Sequence, residues 1–231
     1  MPTHPDPFHD DRLEAGVKTA SYDGERIPLI LGLKDVRKAA KDWQTFSSDH
    51  PFKVVPHTEE HVRSVRQLPI ETDPPDHTDY RKLVEPLFRR PTQQDYQDDM
   101  KLLIASVVRD AVAQDEVEVV QDFALPLQCR ALTRLLGVPE SEADIWMGWG
   151  VHVFEGDGKA KGSDLDSYVR GQLLARASAP GDDFFSLLNQ VEFRGRKLNA
   201  EEKCGFVNVA FAGGRDTIIN TVASIIVYLA E

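Results

Sequence analysis

The feature that most constrains this chain is a long apolar segment near its C-terminal end, running from Asn199 to Glu231. Asn199 followed three residues later by Glu202 is a variant of the capping box that starts helices. The helical pattern then continues to the last residue, which predicts one unbroken helix of roughly 48 Å at about 1.5 Å per residue. Because no helix-stop signal follows, we expect the chain to be part of a longer domain.

Helix signals dominate from residue 74 onward, whereas the N-terminal part of the chain also contains a predicted strand. Arg26–Leu33 is a short apolar run that suits a strand, and residues 34–43 follow helical spacing. No internal repeat or long linker divides residues 1–231. The chain is therefore predicted to be one continuous domain, mainly α with a small β-sheet.

Several further helices are predicted from caps and apolar spacing. One is capped by Thr92 and reaches about Ala113, with an apolar stripe made by Tyr96, Met100, Leu103, Val107 and Ala111. A second runs from about Gln121 to Leu136, buries Phe123, Leu127, Leu132 and Leu135, and stops at Gly137; Ser141 is a candidate cap for the next helix. A third covers 164–177, after a glycine-rich connection at 150–163 that we expect to be mobile.

Composition excludes several classes of function. Acidic residues outnumber basic ones by 38 to 27, giving a net charge of -11, which disfavours binding to nucleic acid. The sequence has neither a secretory leader nor a run of ~18 apolar residues, so we expect a soluble, cytoplasmic protein. The two cysteines, Cys129 and Cys204, lie far apart in apolar surroundings and predict two buried thiols instead of a disulfide or a metal site.

The long apolar segment contains Gly213, Gly214, Asp216 and Thr217, all of them poor helix formers. Two adjacent glycines cost roughly 2 kcal/mol relative to alanine in a helix, but they let a ligand approach the backbone and let the helix open locally. A carboxylate and a hydroxyl beside that opening suit controlled protonation of a bound oxygen species. The alternative is that the glycines permit close helix packing and that Thr217 bonds back to a carbonyl.

A second group of polar residues lies at the start of a predicted helix, with Asp73 as its N-cap and Pro74 at its first position. His77 and Arg81 are four residues apart and therefore share a helical face. An Arg and a His together can hold carboxylates at the edge of an acidic cofactor. The alternative is a solvated polar face near Asp76.

Both groups resemble signatures of one family. The stretch DPPDHTDYRKLVEPLF (Asp73–Phe88) is similar to the C-helix signature of bacterial cytochromes P450, and AGGRDT (Ala212–Thr217) to their oxygen-binding I-helix signature. Between them, LTRLLGVP (Leu132–Pro139) and PGDDFFSLL (Pro180–Leu188) resemble the end of the E helix and the approach to the I helix. The resemblance implies the N-terminal part of the cytochrome P450 fold, helices about B to I.

This resemblance implies haem b and O2 as cofactors. His77 and Arg81 would contact the haem propionates, Gly213 and Gly214 would form the oxygen groove, and Asp216 with Thr217 would deliver protons for O–O cleavage. Asn220 also fits the camphor-hydroxylase-like subgroup. Arg215 occupies a position that varies widely in the family, and Ile218 stands where many members have a second hydroxyl.

Two expected elements of the family are absent from the sequence. The iron's axial ligand is a cysteine in a Phe-x-x-Gly-x-x-x-Cys-x-Gly loop, and neither Cys129 nor Cys204 fits that pattern. The only Glu-x-x-Arg spacing, Glu60 with Arg63, precedes the C-helix signature instead of following the I helix, and we interpret it as chance. The resemblance therefore implies a partial chain that lacks the haem-ligating part.

By resemblance, the function is that of a haem-dependent monooxygenase that hydroxylates a small apolar organic substrate with O2 and two electrons. A ferredoxin or similar partner would dock near Lys82, Arg89 and Arg90. The substrate would be bounded by residues 52–68, residues 150–163 and the helix near Phe211. The alternative is a non-catalytic truncated helical protein that binds an apolar ligand or has no activity.

Overall fold

Helices make up most of the structure. The computed structural model describes residues 8–13, 18–22, 24–51, 53–54, 57–58, 63–150 and 159–230. Its α-helices are α1 His9–Leu13, α2 Leu33–Ala39, α3 Asp76–Phe88, α4 Gln94–Val112, α5 Leu125–Leu136, α6 Glu142–Gly148, α7 Lys159–Ser178, α8 Phe184–Gln190, α9 Ala200–Gly214 and α10 Asp216–Ala230. Its strands are β1 Lys18–Tyr22, β2 Glu25–Leu29, β3 Lys53–Val54, β4 His57–Thr58, β5 Glu192–Phe193 and β6 Arg196–Lys197.

The described strands form three separate antiparallel hairpins, β1–β2, β3–β4 and β5–β6. In the longest hairpin Lys18 is opposite Leu29 and Ala20 is opposite Ile27. The prediction of a mainly helical chain with a small sheet is confirmed. The strand predicted at Arg26–Leu33 is shorter in the structure and ends at Leu29. The helix predicted for residues 34–43 begins one residue earlier, at Leu33, and ends at Ala39.

The predicted start of α3 is wrong by two residues. Asp73 does not cap the helix with its side chain; its carboxylate accepts hydrogen bonds from the Ser47 hydroxyl (2.5 Å) and the Ser48 amide (2.8 Å). The helix begins at Asp76, with Pro75 at the N-cap position. Asp73 therefore attaches the preceding loop to the helix start, a long-range contact that sequence spacing does not reveal.

The predicted stripe of α4 is confirmed in part, whereas its predicted cap is wrong. Leu103, Val107 and Ala111 are buried on one face, and the two N-terminal members of the stripe, Tyr96 and Met100, are half-buried. The Thr92 hydroxyl donates to the carbonyl of Arg89 at 2.7 Å, inside a short 3₁₀ turn that precedes the helix. The cap position belongs to Gln93, which makes no side-chain capping bond.

The helix predicted for residues 121–136 divides into a π-helical turn at Val119–Ala124 and α5. Gly137 ends α5 with a φ of 72°, as predicted. The buried face of α5 differs from the predicted one. Of the four residues predicted to be buried, Leu132 is buried, whereas Phe123, Leu127 and Leu135 are half-buried. The other buried positions of α5 are Leu125, Gln128, Cys129, Thr133 and Leu136. Since the π turn adds a residue per turn, it rotates the following face away from a simple 3.6-residue period.

Helices α6 and α7 flank the glycine-rich connection at 150–163, which is predicted to be mobile. Ser141 occupies the N-cap position of α6 but makes no side-chain capping bond. Most of the connection, residues 151–158, lies outside the described residues. The helix predicted to start at residue 164 already begins at Lys159.

The core lies around α9, between α5, α6, α7 and α8. Trp146 of α6, Tyr168 of α7 and Phe211 of α9 are packed edge to face, with the rings of Trp146 and Phe211 centred 5.0 Å apart. Both of these rings are completely buried. Aromatic packing of this kind adds roughly 0.5–1.5 kcal/mol per pair beyond burial, so it fixes the middle of α9 against its neighbours.

The long apolar segment is two helices instead of the single predicted one. The capping box at its start is confirmed, with Asn199 and Glu202 exchanging hydrogen bonds of 2.8 Å. The helix ends after Gly214, where Arg215 adopts φ −114° and ψ −81°, and α10 starts at Asp216. Among the described helices, none combines the length and hydropathy needed to span a membrane.

Candidate functional site

The break between α9 and α10 lies inside the glycine motif. The amides of Ile218 and Ile219 both donate to the carbonyl of Arg215, at 3.1 and 3.0 Å. The carbonyl of Gly214 accepts instead from the side-chain amide of Gln128 on α5, at 2.6 Å. The hydrogen bonds of α10 therefore begin at the carbonyl of Arg215, and the backbone opens where the sequence placed its poor helix formers.

The two glycines of the motif have different surroundings. A Cβ on Gly213 would meet no atom within 4 Å, and Gly213 and Thr217 are both exposed. A Cβ on Gly214 would lie 3.5 Å from a methyl carbon of Leu132. Because 3.5 Å is an ordinary van der Waals distance, close helix packing does not require glycine at position 214, and Gly213 leaves an open stretch of backbone.

A cavity of about 230 Å³ brings the two predicted groups together. Arg81 from α3 and Gly213 and Gly214 from α9 all contribute to its wall. The rest of the lining is apolar: Leu68, Pro69, Ile70, Val84, Phe88, Leu135, Phe184, Phe206, Val209 and Ala210. Since one arginine at the rim of an apolar cleft suits an apolar group with an acidic edge, these residues fit haem.

The remaining predicted residues lie beside this cavity. His77 is half-buried one helical turn before Arg81 and is not part of the cavity lining. Asp216 is half-buried at the first position of α10. Thr217 and Asn220 line a shallow groove along α10 together with Thr221 and Tyr228. The structure therefore brings Arg81 and the glycines to one cavity and places Asp216 and Thr217 directly after the helix break.

Both cysteines are buried in helix packing. Cys129 is completely buried, and its thiol lies 3.4 Å from the side-chain carbonyl oxygen of Gln128. Burial raises the pKa of Cys129 to about 11 and also raises the pKa of Cys204. A raised pKa disfavours the thiolate that ligates metals, which accords with the poor match of both cysteines to the haem-ligand pattern.

Arg215 is a residue whose importance the sequence analysis missed. It is 1% exposed, and its guanidinium donates to the carbonyls of Trp146 (2.7 Å) and Gly150 at the end of α6. Desolvation lowers the pKa of Arg215 from its ordinary value. The family resemblance gives this position as variable, although a charged residue within an apolar helix, directly after two glycines, is a signal for a buried role. Arg215 attaches the helix break to α6.

The start of α3 is held to α9 by three polar residues. The Tyr80 hydroxyl donates to Glu202 at 2.6 Å, and Arg196 donates to both oxygens of the same carboxylate at 2.7 and 2.8 Å. These bonds, first that from Arg196, lower the pKa of Glu202 to about 2, and burial with the Glu202 contact raises the pKa of Tyr80 to about 12. Since Tyr80 directly precedes Arg81, this network fixes the turn of α3 that carries the arginine.

The segment that leads into α3 is also tied to α9. Arg63 forms a buried ion pair with Glu71, and Gln67 donates to the side chain of Asn208 at 3.1 Å. Glu60, the other half of the Glu-x-x-Arg spacing, lies outside the described residues. The described carboxylate partner of Arg63 is therefore Glu71, and the pair closes a loop next to the cavity.

The three basic residues expected to contact a redox partner differ in the contacts that they make within the chain. Lys82 and Arg89 make exposed ion pairs with Asp79 (3.5 Å) and Glu85 (2.6 Å) on their own helix. Arg90 instead donates to the carbonyls of Leu135 (3.0 Å) and Asp182 (2.9 Å). Arg90 thus joins three segments of the fold, which was not predicted.

Comparison with known proteins gives a consistent result. The chain is 26% identical over 214 residues to a probable cytochrome P450 127A1 of Sinorhizobium fredii, covering 90% of this chain and 50% of the relative. It is 23% identical to the putative cytochrome P450 YjiB of Bacillus subtilis, covering 99% of this chain and 59% of the relative. A solved structure of a carbohydrate-active P450 superposes with a TM-score of 0.92 and is 44% identical, covering 98% of this chain and 60% of that one.

These likenesses extend over almost all of the chain but only part of each relative. No family model matches the sequence. The chain spans about half to three fifths of the length of these three relatives. The matching part includes both motifs, the helix break and the cavity between α3 and α9. The chain belongs to the bacterial cytochrome P450 family.

Proposed function

We propose that the protein containing this chain is a haem-dependent monooxygenase. The observation that carries the proposal is the cavity that Arg81 of α3 and the Gly213–Gly214 pair of α9 line together. An exposed guanidinium beside an apolar cleft that includes open helix backbone combines a carboxylate-binding group with an apolar surface for the body of the ligand. Family membership supports the same activity.

Haem, when bound, supplies the chemistry that uses O2 and two electrons for oxygenation. The chain's own residues would bind and orient it: Arg81, with His77 one turn away, would hold the propionates. Gly213 permits close approach, because it has no Cβ and nothing lies within 4 Å of that position. Asp216 and Thr217, just after the break, hold and deliver protons.

We further propose that residues 1–231 form a single partial domain and that the axial cysteine belongs to another part of the protein. Two observations support this: neither cysteine fits the haem-ligand pattern, and both are buried with raised pKa values. The share of its relatives that the chain covers agrees with it. We expect the protein to be cytoplasmic and to receive electrons from a ferredoxin or similar partner near Lys82 and Arg89.

Two substrate classes have support. The apolar lining of the cavity favours hydroxylation of a small apolar organic molecule. The 44% identity to a carbohydrate-active P450 favours a carbohydrate instead. Titrating the haem-loaded protein with a panel of apolar compounds and of mono- and disaccharides, and following the shift of the Soret band, distinguishes the two classes.

The test of the function uses the product of the whole reading frame, purified with haem, reduced and exposed to CO. We expect the red-shifted Soret band of thiolate-ligated haem from that protein and none from residues 1–231 alone. Arg81→Ala should weaken haem binding about tenfold, and Lys82→Ala, next to it, should not. Failure of the whole protein to bind haem would overturn the function. A thiolate band from residues 1–231 would overturn the assignment of the two cysteines.

A further inference from the structure

The helix break involves an exchange of hydrogen-bond partners. In a continuous α-helix, the amide of Ile218 would donate to the carbonyl four residues earlier, that of Gly214. Here the Ile218 amide donates to the carbonyl of Arg215 at 3.1 Å, and the Gly214 carbonyl accepts from Nε2 of Gln128 at 2.6 Å. The side chain of Gln128 has taken the place of the Ile218 amide.

Gln128 is a polar side chain buried in an apolar part of the core. It is 1% exposed, on the buried face of α5 between apolar residues of the core. Its side-chain oxygen lies 3.4 Å from the thiol of Cys129, so both ends of the amide have partners. Burying an amide is costly unless its hydrogen bonds are made, and leucine or methionine would fill a similar volume. The bond to Gly214 is therefore the specific contribution of this residue.

We propose that Gln128 is a positioning residue that keeps the helix open between Gly214 and Arg215. By occupying the Gly214 carbonyl, it prevents the Ile218 amide from returning to the regular helical bond. A closed helix would change the rotation of Asp216 and Thr217 about the helix axis, since successive residues are about 100° apart. The effect on proton delivery rests on the proposed function, whereas the effect on the helix does not.

The first test compares Gln128→Met with Gln172→Met in the protein that contains this chain. Gln172 is a suitable control because its amide also joins two helices, donating to Glu142 at 3.3 Å, but does not contact α9 or α10 in any described bond. We expect Gln128→Met to slow amide hydrogen exchange about threefold or more at residues 215–218 and to leave other segments unchanged. Unchanged or faster exchange there, or a change shared by the whole chain, would overturn the proposal.

The haem-loaded enzyme supplies a second readout. In Gln128→Met, peroxide released per O2 consumed should rise about threefold or more, with substrate affinity and the reduced CO spectrum unchanged. Gln172→Met should match the wild type in both respects. If the exchange result holds while coupling stays at the wild-type value, the positioning of Asp216 and Thr217 is disproved.

A second variant covers the case in which Gln128→Met does not fold. Gln128→Glu has nearly the same shape, and its buried carboxyl donates a hydrogen bond only while protonated. Slow exchange at residues 215–218 should therefore emerge as the pH rises and the carboxyl ionises, with wild-type exchange at low pH after correction for intrinsic rates. A pH dependence equal to that of the wild type would overturn the proposal.

Discussion

The backbone amide of Leu68 donates a hydrogen bond to the carbonyl oxygen of Gly205, with the two atoms 3.3 Å apart. This contact joins the segment before α3 directly to the backbone of α9. It requires glycine at position 205, because a Cβ there would collide with the carbonyl of Arg66. Leu68 also lines the cavity that contains Arg81, so the contact fixes one wall of the candidate site.

Gly205→Ala should therefore destabilise the protein although alanine favours helices. We expect a loss of about 1–3 kcal/mol in the free energy of unfolding, because the backbone atoms of Arg66 cannot move aside cheaply. Gly171→Ala is the matched control: it also lies within a helix, nothing is within 4 Å of its Cβ position, and it should gain up to about 1 kcal/mol. Urea denaturation measures both, and equal effects would contradict the close approach.

The motifs were predictable from the sequence because their chemistry is local. The glycine pair and the spacing of His77 and Arg81 can be found by counting residues, and so can the capping box of Asn199. The partners of these residues were not predictable, because they come from distant segments. Gln128 precedes its acceptor Gly214 by 86 residues, and Tyr80 precedes Glu202 by 122. For the same reason the break at Arg215 was missed: helix periodicity continues unchanged across it.

The ion pair of Glu202 should make stability depend on acid pH. Its pKa is about 2 in the folded protein, below its ordinary value of 4.5, so folding favours the ionised carboxylate. The stabilisation is complete above pH 4.5 and is lost as the pH falls toward 2. At pH 7 Glu202→Gln should lower the free energy of unfolding by about 1–3 kcal/mol, and the difference from wild type should shrink below pH 4.5.

The control for this prediction is the exposed neighbour Glu201, whose replacement by Gln should change stability by less than about 0.5 kcal/mol. Tyr80→Phe removes one hydrogen bond to Glu202 and should lower the free energy of unfolding by about 1 kcal/mol at neutral pH. Denaturation curves at several pH values between 2 and 7 measure all three variants. A constant difference between wild type and Glu202→Gln across that range would exclude the proposed ionised pair.

Arg215 should be required for the stability of the helix break. Arg215→Met leaves the carbonyls of Trp146 and Gly150 without its guanidinium, and we expect a loss of about 2–4 kcal/mol. Arg170→Met removes an exposed ion pair with Asp166 on α7 and should cost about 0.5 kcal/mol or less. Thermal and urea denaturation compare the two, and similar small losses would show that Arg215 tolerates replacement.

Arg89 and Arg90 are adjacent but should respond differently to replacement. Arg90→Ala removes donors to Leu135 and Asp182 and should lower stability by about 1–3 kcal/mol. Arg89→Ala breaks only an exposed pair with Glu85 and should leave stability almost unchanged.

If an acidic partner docks here, Arg89→Ala should slow electron transfer at low ionic strength. Stopped-flow reduction at two salt concentrations measures this, and a salt-independent rate would exclude Arg89 as a contact.

Thr217→Ala should uncouple oxygen consumption from product formation in the haem-loaded enzyme. Thr217 is exposed at the start of α10, directly after Asp216 and two residues after the helix break, and we propose that its hydroxyl holds a proton or a water molecule at the oxygen groove. Thr221→Ala is the matched control, because it removes a hydroxyl one turn later that is already bonded to the carbonyl of Thr217 at 2.6 Å. The ratio of product to O2 consumed should fall several-fold in Thr217→Ala alone. Equal coupling in both variants would remove Thr217 from the proton path and leave Asp216 as its only candidate on α10.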